Sequence, residues 1–190
     1  MTPTYDAVKR CIDLVVAIVL LLVLSPVLAV AAIAVKCSGP GPIFFRQTRV
    51  GRGGKPFDIL KLRTMRPTRS PGPLITGAGD PRVTRVGRVL RRWKVDELPQ
   101  LVNVLRGQMS LVGPRPLPQR DFERLEEWHK KRYLVLPGMT GLWQVSGRSD
   151  LDFDDLVRLD FLYLERWSVF LDLTILIKTV PAVFSRRGAF

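Results

Sequence analysis

The hydrophobic pattern of this chain begins with an apolar run over residues 14–35, interrupted only by Ser25 and Pro26. One helix of about 22 residues would span the hydrocarbon core of a bilayer, which is about 30 Å thick. Because proline has no backbone N–H to donate, Pro26 is expected to bend or break this helix. Each half would then be about 15 Å long, which is too short to cross the bilayer.

Basic residues flank this run on both sides. They are Lys9 and Arg10 before it and Lys36, Arg46, Arg49 and Arg52 after it. Since positive charge favours the cytoplasmic side, the flanks predict a re-entrant helix whose two ends lie on the same face of the membrane. A membrane-spanning anchor with a proline kink is one alternative. A cleaved signal peptide is another, although the run is longer than the apolar core of a typical signal.

Beyond the run, the polar and apolar positions predict a small β element followed by helices. Residues 43–50 and 56–65 flank a glycine-rich segment and read as a β-hairpin. Helices are predicted over residues 84–93, 96–106, 121–133 and 150–167, with loops at 66–80, 109–118 and 134–148. Residues 170–184 are apolar on nearly all sides but too short to span, so they pack in a core or lie in the membrane interface.

These elements predict a mostly α fold with a small β-hairpin. Residues 1–37 would form a re-entrant membrane helix-break-helix with a basic N-terminal flank. Residues 38–190 would form a compact cytoplasmic domain with interfacial amphipathic helices near its C-terminus.

The charge of the chain narrows the range of partners. Thirty Lys and Arg against 17 Asp and Glu give a formal net charge of +13. This excess favours acidic lipid head groups, phosphorylated substrates or nucleic acid, and a membrane segment favours the first two. The two cysteines, Cys11 and Cys37, provide no disulfide framework, which is typical of a protein in a reducing cytoplasm.

Two adjacent carboxylates, Asp96 and Glu97, form the strongest candidate site. At the start of a predicted helix, free N–H groups and the helix dipole lower a carboxylate pKa and attract phosphate. Because phosphate and carboxylate repel each other, Mg²⁺ with oxygen ligands is expected between them. An ionised Asp96 could instead attack phosphorus as a nucleophile. Ordinary helix capping by an acidic pair is the alternative.

Arginines surround this pair in the sequence. Arg82, Arg85, Arg88 and Arg91 recur every three residues, and at least one of them should project towards Asp96. Arg115 lies between two prolines, and Arg148 follows a glycine-bearing loop. Rigidly held guanidinium groups suit phosphate recognition, although any single arginine can be an ordinary surface charge.

Histidine chemistry has little support in this chain. His129 is the only histidine, which argues against His-based metal sites and a Ser-His-Asp triad. Its position within a charged predicted helix favours an exposed side chain.

Five motifs occur in order along the chain. They are Ser25-Pro26, the segment FDILKLRTM over residues 57–65, DELPQL over 96–101, GPRP over 113–116 and PGMTG over 137–141. Their order and spacing resemble those of the small monotopic phosphoglycosyl transferases, the bacterial initiating sugar transferases. The resemblance covers nearly the whole chain. Larger relatives of this kind carry extra transmembrane helices and an N-terminal domain, which this chain is expected to lack.

The resemblance implies an enzyme that transfers a sugar-1-phosphate from a UDP-sugar to undecaprenyl phosphate and releases UMP, the first membrane step of bacterial glycan assembly. It implies that Asp96 is the nucleophile, that Glu97 assists, and that both hold Mg²⁺. The substrate-binding residues that it implies are Lys61, Arg91, Arg115 and Arg148. It also implies that the membrane helix breaks at Ser25-Pro26, and that the protein lies at the cytoplasmic face of the inner membrane among membrane lipids.

Two functions of other classes compete with this one. A membrane-tethered nucleic-acid-binding protein would explain the charge, but no recognition motif supports it, so nucleic acid is not a predicted partner. A non-catalytic membrane scaffold would make Asp96 dispensable. Within the enzyme hypothesis, the choice of sugar is expected to depend on contacts in residues 66–80 and 144–150.

Overall fold

A single long helix dominates the N-terminal part of the chain. The structure is a computed structural model that describes residues 3–66, 80–146 and 152–184. Helix α1 (Pro3–Cys37) continues through Pro26, so it is one helix rather than the predicted two separated by a break. The described part of the chain holds one helix that is long and apolar enough to cross a membrane, over Asp6–Cys37.

The Ser25-Pro26 pair explains why α1 does not break. In a regular helix, the N–H of residue 26 would bond to the carbonyl oxygen of Leu22, and proline cannot provide that N–H. The hydroxyl of Ser25 donates to this same carbonyl oxygen at 2.8 Å. A serine hydroxyl therefore satisfies the acceptor that the proline leaves open.

Both ends of α1 are hydrogen-bonded to the rest of the protein. Near the N-terminus, Arg10 donates to the carbonyl oxygens of Val104 and Leu105 at 2.7 and 2.9 Å. At the C-terminus, Arg63 donates to the carbonyl oxygen of Val35 at 2.9 Å. Between these two attachments, the outward face of the helix presents exposed apolar side chains such as Leu22.

The predicted β-hairpin is confirmed. Strands β1 (Phe44–Val50) and β2 (Pro56–Leu62) pair antiparallel, and a short 3₁₀ turn at Arg52–Gly54 joins them. The buried amide of Asn103 pairs with β2, because it donates to the carbonyl oxygen of Asp58 at 2.7 Å and accepts from the N–H of Leu60 at 3.0 Å.

The remaining elements are short. They are α2 (Arg85–Arg92), α3 (Gln100–Leu105), β3 (Ser110–Val112), α4 (Gln119–Glu123), α5 (Glu127–Lys130), β4 (Gly138–Thr140), α6 (Leu142–Ser146), α7 (Phe153–Glu165) and α8 (Val169–Phe184). Strands β3 and β4 pair in parallel, although both segments were predicted to be loops. The helix predicted over residues 121–133 is three short helical pieces. Asp152 caps α7 by accepting from the N–H of Asp155 at 2.7 Å, whereas Asp150, where this helix was predicted to begin, lies outside the described residues.

Helix α8 has two unlike faces. Ile175 is completely buried in the main core together with Ala17 of α1 and Leu101 of α3. The opposite face presents Phe170, Leu173, Ile177 and Val180, and Phe170 is 78% exposed. Of the two predicted environments, core and membrane interface, the helix therefore has features of both.

Candidate active site

The carboxylate pair lies in a tight turn rather than at the start of a long helix. Val95–Glu97 forms a 3₁₀ turn, and α3 begins only at Gln100, after Pro99. Lys94 precedes this turn with φ of 55°, and it is the only non-glycine residue with positive φ among those described. Left-handed backbone is costly for a lysine, and such strain is concentrated at functional sites.

Glu97 is held by two cations. Its Oε1 accepts from Lys61 Nζ at 2.7 Å and from Arg115 Nη2 at 2.8 Å. Burial alone would raise the pKa of Glu97, but the charges of Arg115, Lys61 and Lys94 outweigh it and hold that pKa well below its usual value. Glu97 is therefore a fixed, ionised carboxylate.

Asp96 has a different environment from its neighbour. It is only 7% exposed, and its Oδ1 is buried without a hydrogen-bond partner in the described structure. Burial, with a further contribution from the charge of Glu97, raises the pKa of Asp96. The sequence-based expectation of a lowered pKa was therefore wrong for Asp96 and right for Glu97, because no long helix begins at the pair and the cations contact only Glu97.

Arg91 reaches the site from α2. Its Nε donates to the hydroxyl of Thr64 at 2.8 Å, and its charge lowers the pKa of Asp96. Helix α2 approaches Thr64 closely at Gly87, where an added Cβ would lie 2.1 Å from the Thr64 carbonyl oxygen. Arg91 is thus the member of this series whose charge acts on Asp96, whereas Arg82 pairs with Asp80 at 2.6 Å.

The loop that carries Arg115 is fixed by the two short parallel strands. The N–H of Gly113 donates to the carbonyl oxygen of Thr140 at 2.9 Å, and the N–H of Gly138 donates to that of Pro114 at 2.9 Å. A Cβ at Gly138 would lie 2.1 Å from the nitrogen of Gly113, so only glycine allows this approach. Strands β3 and β4, which were predicted to be loops, therefore position Arg115.

The structure brings together five of the predicted site residues, namely Lys61, Arg91, Asp96, Glu97 and Arg115. Arg148 lies outside the described residues. Ser25 and Pro26 lie in α1, where they form the satisfied helix irregularity described above. Lys94 and Arg49, whose charges act on Glu97, were not among the predicted site residues.

His129 is buried, contrary to the sequence-based expectation. Its Nδ1 accepts from the N–H of Glu126 at 3.2 Å, so Nε2 carries the proton and donates to Asp154 Oδ1 at 3.1 Å. Its ring packs against Trp128, with the centroids 3.9 Å apart. The side chain therefore closes a short helical turn and lies apart from the carboxylate pair.

Comparisons with known proteins show which family this chain is similar to. Residues 4–186 match the family model described as bacterial sugar transferase. A UDP-glucose:undecaprenyl-phosphate glucose-1-phosphate transferase of Caulobacter vibrioides is 48% identical over 196 residues, which cover 97% of this chain and 73% of the relative. A relative of the same name in Escherichia coli is 41% identical, covering 100% of this chain and 45% of that protein.

A third relative carries a different sugar in its name. The undecaprenyl-phosphate galactose phosphotransferase of Salmonella typhimurium is 40% identical, covering 96% of this chain and 41% of that protein. The chain thus spans less than half the length of the last two relatives and most of the first. The family match extends over nearly the entire chain and includes every motif listed above. The chain therefore belongs to the bacterial sugar transferase family and is a phosphoglycosyl transferase.

Proposed function

We propose that this chain transfers a sugar-1-phosphate from a UDP-sugar to undecaprenyl phosphate and releases UMP, through a covalent aspartyl-phosphosugar intermediate on Asp96. The unlike environments of the two carboxylates support this proposal most directly. Lys61 and Arg115 hold Glu97, whereas Asp96 keeps a buried oxygen without a hydrogen-bond partner in the described structure. An oxygen of this kind is available to a reacting phosphorus.

The reaction would proceed in two displacements. A carboxylate oxygen of Asp96 attacks the phosphorus that carries the sugar, the bond from this phosphorus to the bridging oxygen breaks, and UMP leaves with that oxygen. A phosphate oxygen of undecaprenyl phosphate then attacks the same phosphorus and breaks its bond to Asp96. The carboxylate is regenerated, and the sugar is joined to the lipid through a diphosphate.

The cations around Glu97 would stabilise the phosphate charge during both steps. Lys61 carries three N–H donors and Arg115 carries five, and in each side chain one donor bonds to Glu97. Their other donors remain available to phosphate oxygens, and their positions are set before the substrate binds. Arg91 would add positive charge on the Asp96 side, and we retain Arg148 as a proposed substrate-binding residue.

Asp96 and Glu97 also fit a Mg²⁺ site. Carboxylate oxygens suit this hard cation, and the open Oδ1 of Asp96 is an acceptor without a donor in the described structure. The two carboxylates and oxygens of the substrate diphosphate would hold the cation. When bound, Mg²⁺ would neutralise negative charge on the diphosphate. Chelation by EDTA is expected to abolish transfer and added Mg²⁺ to restore it, and full activity in EDTA would contradict this assignment.

We further propose a monotopic protein at the cytoplasmic face of the bacterial inner membrane. The apolar helix and the lipid-carrier substrates in the names of the relatives indicate membrane association. The attachment of both ends of α1 to the same folded body supports an arrangement in which both ends of the helix stay on one side of the bilayer. The exposed apolar face of α8 fits the interface of the same membrane.

Exchange of labelled UMP into a UDP-sugar, without any lipid acceptor, tests the covalent intermediate. UDP-glucose is the first donor to test, because the Caulobacter relative is named for it, and UDP-galactose is the second. The wild-type enzyme is expected to exchange label and the Asp96→Asn variant to show none. Turnover without exchange, together with no labelled protein after a denaturing quench, would instead indicate direct transfer between the two substrates.

A further inference from the structure

Two buried or partly buried arginines hold the loop that presents Arg115. Arg132 donates to the carbonyl oxygen of Arg115 at 3.0 Å, and Arg49 donates to that of Pro116 at 3.3 Å. Because Pro114 and Pro116 have no N–H, the carbonyl oxygens are the main backbone groups through which hydrogen bonds can hold this loop. The two arginines therefore attach to successive carbonyl groups of the loop.

These two arginines differ in how their charges are neutralised. Arg132 lies 2.6 Å from Asp160, and their side chains are 3% and 1% exposed, so a buried carboxylate balances its charge. Arg49 forms no salt bridge within the described structure, and its Nη2 donates instead to the neutral Gln47 Oε1 at 2.7 Å. The Nε of Arg49 is buried and has no hydrogen-bond partner among the described residues.

The charge of Arg49 lies close to the candidate active site. Burial, with a further contribution from Arg115, lowers the pKa of Arg49 to about 10, and the charges of Glu97 and Asp121 oppose this shift. Glu97 is already bonded to Lys61 and Arg115, and the charge of Lys94 also acts on it, so this part of the site holds more positive than negative charge. Like charges in a partly dry site are unfavourable, and a bound anion would relieve the repulsion.

We infer that Arg49 is a positioning residue of the anion-binding site, which holds the loop of Arg115 and adds positive charge that favours a bound diphosphate. The inference rests on the proposed function, because the diphosphate is that of the sugar nucleotide. Gln47 orients Arg49 from the same face of β1, since alternate residues of a strand point to the same side. Gln47 thus orients the guanidinium without cancelling its charge.

Binding of UDP and of inorganic pyrophosphate to the full chain, measured by calorimetry, tests this inference. Arg49→Gln is expected to weaken the binding of both probes about tenfold or more, because it removes a charge-assisted interaction. Gln47→Glu is the more specific variant, since it keeps Arg49 and its bond to Pro116 but places a carboxylate beside the guanidinium. It is expected to weaken binding similarly while the melting temperature stays at or above that of the wild type.

Arg46→Gln is the matched control. Arg46 lies on the same strand, is exposed, and its replacement changes the net charge by the same amount. Equal losses of binding in Arg46→Gln and Gln47→Glu would overturn the inference, because they would show that only the net positive charge of this surface matters. Wild-type binding in Gln47→Glu would also overturn it. Kinetic constants for the UDP-sugar should show a raised KM with a smaller change in kcat for Gln47→Glu, and a fall in kcat alone would also contradict the inference.

The two probes separate this inference from the proposed function. If the wild-type chain binds UDP and Gln47→Glu binds it equally well, the inference fails and the function stands. If pyrophosphate binding depends on Arg49 but the chain neither binds UDP nor exchanges UMP, the anion site stands and the sugar-nucleotide function fails.

Discussion

At the scale of single residues, the two neighbouring carboxylates differ in their bonding partners and in their pKa shifts. Glu97 is held ionised by Arg115 and Lys61, whereas burial raises the pKa of Asp96. Pairs of acids with opposite shifts are a common feature of sites where one group orients and the other reacts. We propose the reacting role for Asp96, because its buried Oδ1 has no hydrogen-bond partner within the described structure.

Asp96→Asn is expected to abolish UMP release without loss of folding. The raised pKa means that the folded state binds the Asp96 proton more tightly than the unfolded chain does. The stability that this proton provides is complete below the usual pKa of 3.8 and is lost as the pH rises through the higher folded-state value. Asparagine has no such loss, so the variant should melt at or above the wild-type temperature at pH 8, with a smaller difference at pH 4. A much lower melting temperature at pH 8 would contradict this assignment.

Arg115→Ala is expected to lower kcat/KM for the UDP-sugar by about 10²-fold, since a lost charge-assisted contact in a dry site costs about 3 kcal/mol. Its loss also leaves Glu97 with Lys61 as its only direct partner in the described structure. Arg158→Ala is the control, because Arg158 is exposed and, among the described residues, pairs only with Asp155 on its own helix, at 3.2 Å. Equal losses in both variants, measured under identical salt, would show that the positive charge acts without a specific contact.

At the scale of elements, local signals predicted the parts of the fold that depend on nearby residues. The β-hairpin was found because the alternation of apolar and polar residues is visible in the sequence. Helix α2 lies within the helix predicted over residues 84–93, and Thr84 caps it by accepting from the N–H of Gly87 at 2.8 Å. Strands β3 and β4 were missed because each has three residues and depends on glycine contacts across a long sequence separation. Short polar pieces such as α5 likewise depend on tertiary contacts, as the burial of His129 shows.

The site residues likewise divide into those that the sequence predicted and those that it missed. Lys61, Arg91 and Arg115 were identified from motifs shared with a known family, and the structure places them around the carboxylate pair. Arg49 was missed because nothing in the alternation of β1 shows which loop its side chain meets. The loop reaches Arg49 because of a tertiary contact next to it, in which the N–H of Val50 donates to the carbonyl oxygen of Leu117 at 2.9 Å.

Gly87→Ala tests how strongly α2 depends on its close approach to Thr64. The new methyl group would lie 2.1 Å from a backbone oxygen, which cannot move as a flexible side chain can. We expect a loss of about 1–3 kcal/mol in the free energy of unfolding, together with a lower kcat/KM because Arg91 shifts away from Thr64. Arg88→Ala, at an exposed position of the same helix, should leave both quantities nearly unchanged. Wild-type stability in Gly87→Ala would show that α2 packs less closely than described.

At the scale of the whole molecule, α1 and the folded body are one unit. A straight helix of 35 residues is about 52 Å long, so a spanning helix would place its two ends far apart across the bilayer. Here Arg10 and Val35, near opposite ends, are bonded to elements of the same domain. Apolar side chains such as Leu22 and Val30 remain exposed on the outward face. A bilayer can cover this face while both ends stay on one side.

Cysteine labelling in intact inner-membrane vesicles tests this topology, because Cys11 and Cys37 are exposed near the two ends of α1. A membrane-impermeant maleimide added from the cytoplasmic side is expected to label both residues, and the same reagent added from the periplasmic side to label neither. Labelling of one cysteine from each side would establish a spanning helix. Pro26→Leu should restore the backbone N–H whose place the Ser25 hydroxyl now takes and complete the backbone hydrogen bonds of the apolar segment, which would shift part of the population towards that spanning pattern. Ser25→Ala is the informative counterpart, since it leaves the Leu22 carbonyl oxygen without its donor and keeps the proline, so it should preserve same-side labelling while lowering the melting temperature.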